Sequence, residues 1–375
     1  MPTSGEISLY IHVPFCTKKC DYCHFFILPN KDSLKTDWFN ALKKEWILTK
    51  PLLKGYEVVT LYFGGGTPSL IPPEWIGEII SWLDDKIPQE ITLEANPEDL
   101  TEEKVKAFLK VGINRISLGV QSLKEEELLT LGRTHSTSKA INAIHSAFNA
   151  GCEDISIDLM YDLPNQTLDS WIATLDQVNL LPITHLSLYN LTIEPNTPFY
   201  KRKETLIPTL PADETSKEMY LIALEKLKSF EFKHYEISAF CRNNKISKHN
   251  TGYWTGRPFL GLGPSAFSYY EGKRIQNAPS LSRYKKALNE NQLPHSFEEK
   301  LDPKEKQREL FLIHLRLIDG VNLTSFEKAF GPLPKDLVSS LQTFESIGWI
   351  TNSSTCPTLT LEGMLFFDSI AEEIV

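Results

Sequence analysis

The chain has 375 residues, with 39 Lys plus Arg against 48 Asp plus Glu, a net charge of −9 and a pI near 5.6. At roughly 150 residues per domain it forms one large or two smaller domains with ample core. Its 41% hydrophobic and 23% charged residues exclude collagen-like order and long disorder, and the acidic balance supplies no basic field for nucleic acid or an anionic membrane. No run of about 18 apolar residues is present for a bilayer span. The opening MPTSGEISLYIHVPFC lacks the basic and apolar regions of a secretory leader. Six Cys in a chain this long make no disulfide framework, so the reducing cytosol is the expected compartment.

Ile7–His12 (ISLYIH) reads as the first strand and runs into a loop holding Cys16, Cys20 and Cys23. Residues 34–48 (LKTDWFNALKKEWIL) repeat apolar side chains at three- and four-residue spacing, a helix pattern. Val58–Phe63 is the second strand and leads directly into Gly64-Gly65-Gly66-Thr67-Pro68. Ile91–Glu94, Arg115–Gly119, Ile155–Met160 and His185–Leu191 follow as strands separated by amphipathic stretches. One of these, SKAINAIHSAFNAG, ends on Gly151, a residue suited to the position just past a helix. Six such repeats predict a parallel α/β sheet with right-handed crossovers, doubly wound or barrel-like. A helical run from Asp213 to Phe230 and a short strand at Tyr235–Ala239 come next. Clusters of Asn, Gly and Pro from Ser238 to about Ser280 read as loop, whereas the chain from Pro303 reads as helical, with short strands at Trp349–Thr351 and Thr358–Leu361. The expected division is 1–235, a loop-rich 236–290 and a mainly helical 291–375.

Cys16-x-x-x-Cys20-x-x-Cys23 places three soft ligands in one loop, which fits an iron–sulfur centre. Zinc completed by His12 or His24 is the alternative, and a redox CxxC leaves the third thiol without a role. Consecutive glycines after a strand let backbone approach a ligand closely, or simply make a tight turn. Glu94, Gln121 and Asp158 lie at the C-terminal ends of successive strands, where sites assemble in parallel β/α folds. The three remaining thiols, Cys152, Cys241 and Cys356, read as buried apolar residues.

The CxxxCxxC motif with Tyr22 between its last two Cys resembles the radical S-adenosylmethionine (SAM) enzymes, as does GGGTP. The resemblance implies a 4Fe-4S cluster on Cys16, Cys20 and Cys23, with the fourth iron open to SAM. EANPE, RISLGVQS, LGRTH and IDLMYDLP resemble the anaerobic coproporphyrinogen oxidase (HemN) group and, within it, the heme-chaperone branch, HemW. That implies an incomplete six-unit (β/α) TIM-like barrel with a smaller C-terminal domain. It also implies SAM contacts from Tyr10, Gly65 and Glu94, and a neighbouring pocket lined by Tyr22, Gly66, Thr67, Gln121, Arg133 and Asp158. His249-Asn250-Thr251-Gly252-Tyr253-Trp254 matches the HNxxYW string that this branch associates with heme, with the His249 imidazole as candidate iron ligand.

Phe25 stands where the oxidase branch has an additional Cys, His24 where the chaperone branch usually has Asp, Asp162 for a common Gly, and Phe267 where many relatives carry His. The resemblance therefore implies a heme chaperone, with SAM, heme, acceptor proteins and an electron donor as partners. The alternative is an oxygen-independent coproporphyrinogen III oxidase or a related radical SAM methyltransferase.

Overall fold

The computed structural model describes residues 5–84 and 86–375; the first four residues of the opening stretch, read as lacking the features of a secretory leader, lie outside them. Six strands, β1 (Glu6–Val13), β2 (Glu57–Gly65), β3 (Glu90–Ala95), β4 (Arg115–Gln121), β5 (Ile155–Tyr161) and β6 (His185–Asn190), run parallel in chain order. Each alternates apolar and polar residues. Ile7, Leu9, Ile11 and Val13 of β1 join the large core beneath the helices. The other face carries Ser8, Tyr10 and His12, in register with Thr60, Tyr62 and Gly64 of β2. The same row continues through Glu94 and Ser117, then Asp158 and Ser187. Interior and exterior residues alternate in this way when a sheet curls around a lumen. The sheet stays open, because the other strands extend it at both ends instead of closing it.

At one end, Tyr235–Ala239 is not a single strand. It spans the end of β7 (Lys233–Glu236), a two-residue turn and the first residue of β8 (Ala239–Cys241), and β8 runs antiparallel to β6. At the other end, the stretch expected to be loop builds β9 (Phe259–Leu262), β10 (Phe267–Tyr270) and β11 (Lys273–Asn277). β9 lies parallel beside β1, and β12 (His295–Lys300) completes an antiparallel extension. The HNxxYW string is also not a loop: it forms the helix Lys248–Trp254, with Ser247 capping its N-terminus.

Buried Glu45, on the helix Asp32–Thr49, ties this extension to the barrel. It accepts hydrogen bonds from the Gly263 amide at 2.7 Å, from Asn277 Nδ2 at 2.6 Å and from the Tyr284 hydroxyl. A buried carboxylate persists when donors satisfy it in this way.

Beyond residue 300, helices around Phe311, Phe326, Leu341 and Ile370 form a second core, with Ile350–Thr351 paired to Thr358–Leu359. Gly151 (φ +94°) follows the helix Thr137–Asn149 as expected, and Asp162 (φ +64°) takes the left-handed geometry that Asp tolerates. Cys152 and Cys241 are buried, but Cys356 is half-buried at the surface, its thiol facing the Asp319 carbonyl. Among the described residues no helix is long and apolar enough to cross a membrane.

Candidate functional site

The C-terminal ends of β2–β6 and the loop after β1 surround a cavity of about 380 Å³. It is bordered by Cys16, Cys20, Tyr22, Cys23, Gly65, Gly66, Thr67, Glu94, Gln121, Arg133 and Asp158, so most of the residues singled out from sequence come together there. The thiol loop is anchored by Phe15–Cys16 pairing with Leu28–Pro29 and by the Asp21 amide donating to the Leu131 carbonyl. Among the described residues no three His, Cys, Asp or Glu side chains converge as ligands of one ion. A cubane asks for something different, one thiolate per iron around a shared space, and the three thiols border one such space. Burial pushes the Cys16 thiol up to about 11 and raises Cys23 as well, so a cluster binding there displaces protons.

A polar chain links two of these thiols. Arg133 donates from Nη1 to Cys20 Sγ at 3.4 Å, and from Nη2 to Asn96 Oδ1 at 2.7 Å and the Gly119 carbonyl at 2.6 Å. Asn96 Nδ2 donates to Thr67 Oγ1 at 3.0 Å, and that hydroxyl lies 3.5 Å from Cys16 Sγ. Donors aimed at sulfur stabilise thiolate charge and tune whatever metal it holds. Glu94 is fixed from two sides, accepting from the Tyr62 hydroxyl at 2.8 Å and the Gly65 amide at 3.0 Å. Gly65 must be glycine: its φ is +110°, and a Cβ would sit 2.5 Å from the His12 ring. At Gly66 a Cβ would lie 2.7 Å from the Phe15 carbonyl, so the turn packs directly against the thiol loop. Gln121 takes φ +68° where β4 slips register against β5, a bulge that turns its side chain to the cavity.

Burial, reinforced by the Glu94 charge, pushes Asp158 up to about 7. An unfolded Asp loses its proton near pH 4, so between pH 4 and 7 the unfolded state sheds a proton that the folded state keeps. Rising pH therefore lowers the stability of the empty protein across that window, by no more than about 4 kcal/mol. Urea unfolding at pH 5 and pH 7 is expected to show this slope in the wild type and a shallower one in Asp158→Asn; equal slopes would remove Asp158 as its source.

Sequence reasoning weighed His12 only as a possible zinc ligand and passed over Tyr62 and Asn96, although His12 and Tyr62 stand at inward positions of the alternation in β1 and β2. His12 Nε2 faces the Phe26 carbonyl at 3.2 Å and so carries the proton, leaving Nδ1 to accept from the Tyr10 hydroxyl at 3.2 Å. Tyr10 faces a second, larger cavity of about 650 Å³. Its walls include Phe25, Phe26, Tyr253, Trp254, Phe259 and Phe267, and His24 and Phe25 border both cavities. Among the residues around it, Trp254 Nε1 and the Tyr269 hydroxyl are buried without a hydrogen-bond partner, and Arg257 Nε lies 3.8 Å from Glu6 Oε2 in an ion pair.

His249 borders neither cavity. It is 1% exposed, and its ring is stacked 4.8 Å from Tyr62. The Thr60 hydroxyl donates to Ser8 Oγ at 2.9 Å, so it accepts from His249 Nδ1 at 2.8 Å; His249 Nε2 in turn accepts from the Tyr253 hydroxyl at 2.8 Å. Burial and the nearby charges of Arg257 and Arg115 lower this imidazole to about 3. It is neutral and doubly hydrogen-bonded, and in this arrangement it presents neither nitrogen to an iron.

Residues 10–178 match the radical SAM superfamily profile and residues 301–366 the HemN C-terminal domain. Heme chaperone HemW of Bacillus subtilis is 31% identical over 369 residues, 97% of each chain. HemW of Escherichia coli is 31% identical over 380 residues, 98% of this chain and 97% of its own. The structure of Escherichia coli coproporphyrinogen III oxidase (HemN) superposes with a TM-score of 0.85 at 22% identity, covering 98% of this chain and 89% of that one, a likeness of fold.

Proposed function

The chain belongs to the radical SAM superfamily and, within it, to the HemW family, and on that premise we propose that it is a heme carrier that hands heme to acceptor proteins in the reducing cytosol. Cys16, Cys20 and Cys23 would hold a 4Fe-4S cluster, with Gly65 and Glu94 beside the SAM bound to it, while Tyr10 borders the other cavity. The cluster supplies an electron, drawn from an external donor, and an open iron for SAM. The chain's own part is to shape that space. Arg133 sets a cation against Cys20, Gly65 and Gly66 bring backbone close, and Glu94, held by Tyr62, turns a carboxylate toward a cationic ligand.

The observation that carries the heme reading is the second cavity. Its aromatic walls suit a porphyrin face. Its volume lies within the range of small-molecule sites.

The test is to reconstitute the protein without oxygen, assay iron and sulfide, titrate in ferric heme and then add an apo-hemoprotein. Saturable binding at about one heme per chain, followed by appearance of the holo-hemoprotein spectrum, is expected. Absence of saturable binding sinks the carrier reading, and turnover of coproporphyrinogen replaces it with the oxidase.

A further inference from the structure

Heme needs an iron ligand, and the cavity proposed to seat it has few candidates. His12 lines it, but both of its nitrogens are spent on Tyr10 and Phe26, and burial lowers it to about 4. Tyr269 lines it with a hydroxyl that lacks a partner, but burial pushes that phenol up to about 12, which suits a donor rather than a phenolate ligand. His249 lies behind the wall. Drawing it onto an iron would strand the Thr60 and Tyr253 hydroxyls in the interior, a loss that buried polar groups resist.

His24 differs from all three. Its ring is exposed and borders the cavity, and among the described residues it makes no hydrogen bond. The Phe25 ring lies 4.7 Å from it and borders the same space. The residue also borders the thiol cavity, so a ligand held there is one residue away from Cys23.

Resting on the carrier reading above, we propose that His24 is the axial ligand to the heme iron, and that His249 is a positioning residue which holds Tyr253 against the cavity. The chemistry is ordinary for a neutral imidazole on iron. The motif histidine then acts through the phenol: Nε2 accepts the Tyr253 proton, Nδ1 anchors on Thr60, and the edge of the His249 ring packs against the Tyr253 ring 5.0 Å away. This arrangement also gives the cluster and the cargo a common loop. Whatever moves Cys23 on loading moves the iron ligand beside it.

Ferric heme is titrated into reconstituted wild type, His24→Ala and His249→Asn, reading difference spectra and electron paramagnetic resonance, with iron content and SAM binding measured in each. His24→Ala is expected to lose the imidazole-ligated signature, to bind heme at least about tenfold more weakly, and to recover the signature when free imidazole is added. His249→Asn, which keeps a donor toward Thr60, is expected to bind more weakly while retaining the signature. A signature that survives in His24→Ala overturns the assignment, as does its loss in a folded His249→Asn alone. Failure of the wild type to bind heme at all is a separate outcome that removes the carrier reading itself.

Discussion

Replacing Cys16, Cys20 and Cys23 together with Ala is expected to give a folded protein that holds no iron, no sulfide and no SAM. The thiols lie on a half-buried loop and belong to none of the apolar clusters, so their loss opens no core cavity and leaves stability within about 1 kcal/mol. Iron falls from about four per chain to none, because without the three thiolates the loop offers no protein ligand to any corner of a cubane. SAM affinity falls at least about a hundredfold, since the amino and carboxylate groups of SAM lose the iron that they chelate. Single replacements are expected to differ in one respect. Cys20→Ala also strands Arg133 Nη1, whose guanidinium already has an unpartnered Nε, and should cost more stability than Cys23→Ala. In the wild type, cluster loading at limiting iron should rise with pH, because burial holds the Cys16 and Cys23 thiols protonated at neutrality and ligation must displace those protons. Iron and sulfide assays with equilibrium dialysis of SAM decide the matter; a triple variant that still binds SAM tightly would show that the thiols are not its anchor.

The six parallel strands were legible because each alternates apolar and polar residues within a short run, and that pattern is local. The polar row is also where the site lies: Tyr10, His12, Tyr62, Glu94 and Asp158 stand at inward positions of β1, β2, β3 and β5. Barrel-like curvature was not legible, because it is set by packing between strands rather than by any one of them. Nor was β9, four residues flanked by Gly and Pro, which becomes a strand by pairing with β1 at the far end of the sequence. His249 shows the same limit at the level of one side chain. Its motif reads as metal chemistry, but its burial is decided by Thr60 and Tyr62 of β2 and Glu90 of β3, whose Oε1 accepts its amide at 2.9 Å. Cys356 was read as buried for its type alone, and a half-exposed loop beside β-paired residues decided otherwise.

Truncating the two exposed phenylalanines of the second cavity should weaken heme binding by about a hundredfold. Phe25 is 53% exposed and Phe267 51%, unusual for side chains of this size, and both border the same cavity. Burying a whole Phe is worth about 1.5–3 kcal/mol, so covering the exposed half of each with a porphyrin is worth about 0.8 to 1.5 kcal/mol. Each truncation then costs about tenfold in affinity, and Phe25→Ala with Phe267→Ala about a hundredfold if the two act independently. Neither side chain is buried in the core, so the melting temperature should move little. The comparison also separates the two cavities. Phe267 borders the aromatic cavity and not the thiol cavity, so Phe267→Ala alone must lower heme affinity without changing SAM affinity. Equal losses of heme and SAM in that variant would mean that the two cavities are one site. An unchanged heme affinity in the double variant would mean that the porphyrin lies elsewhere, and that these two rings are exposed for another partner.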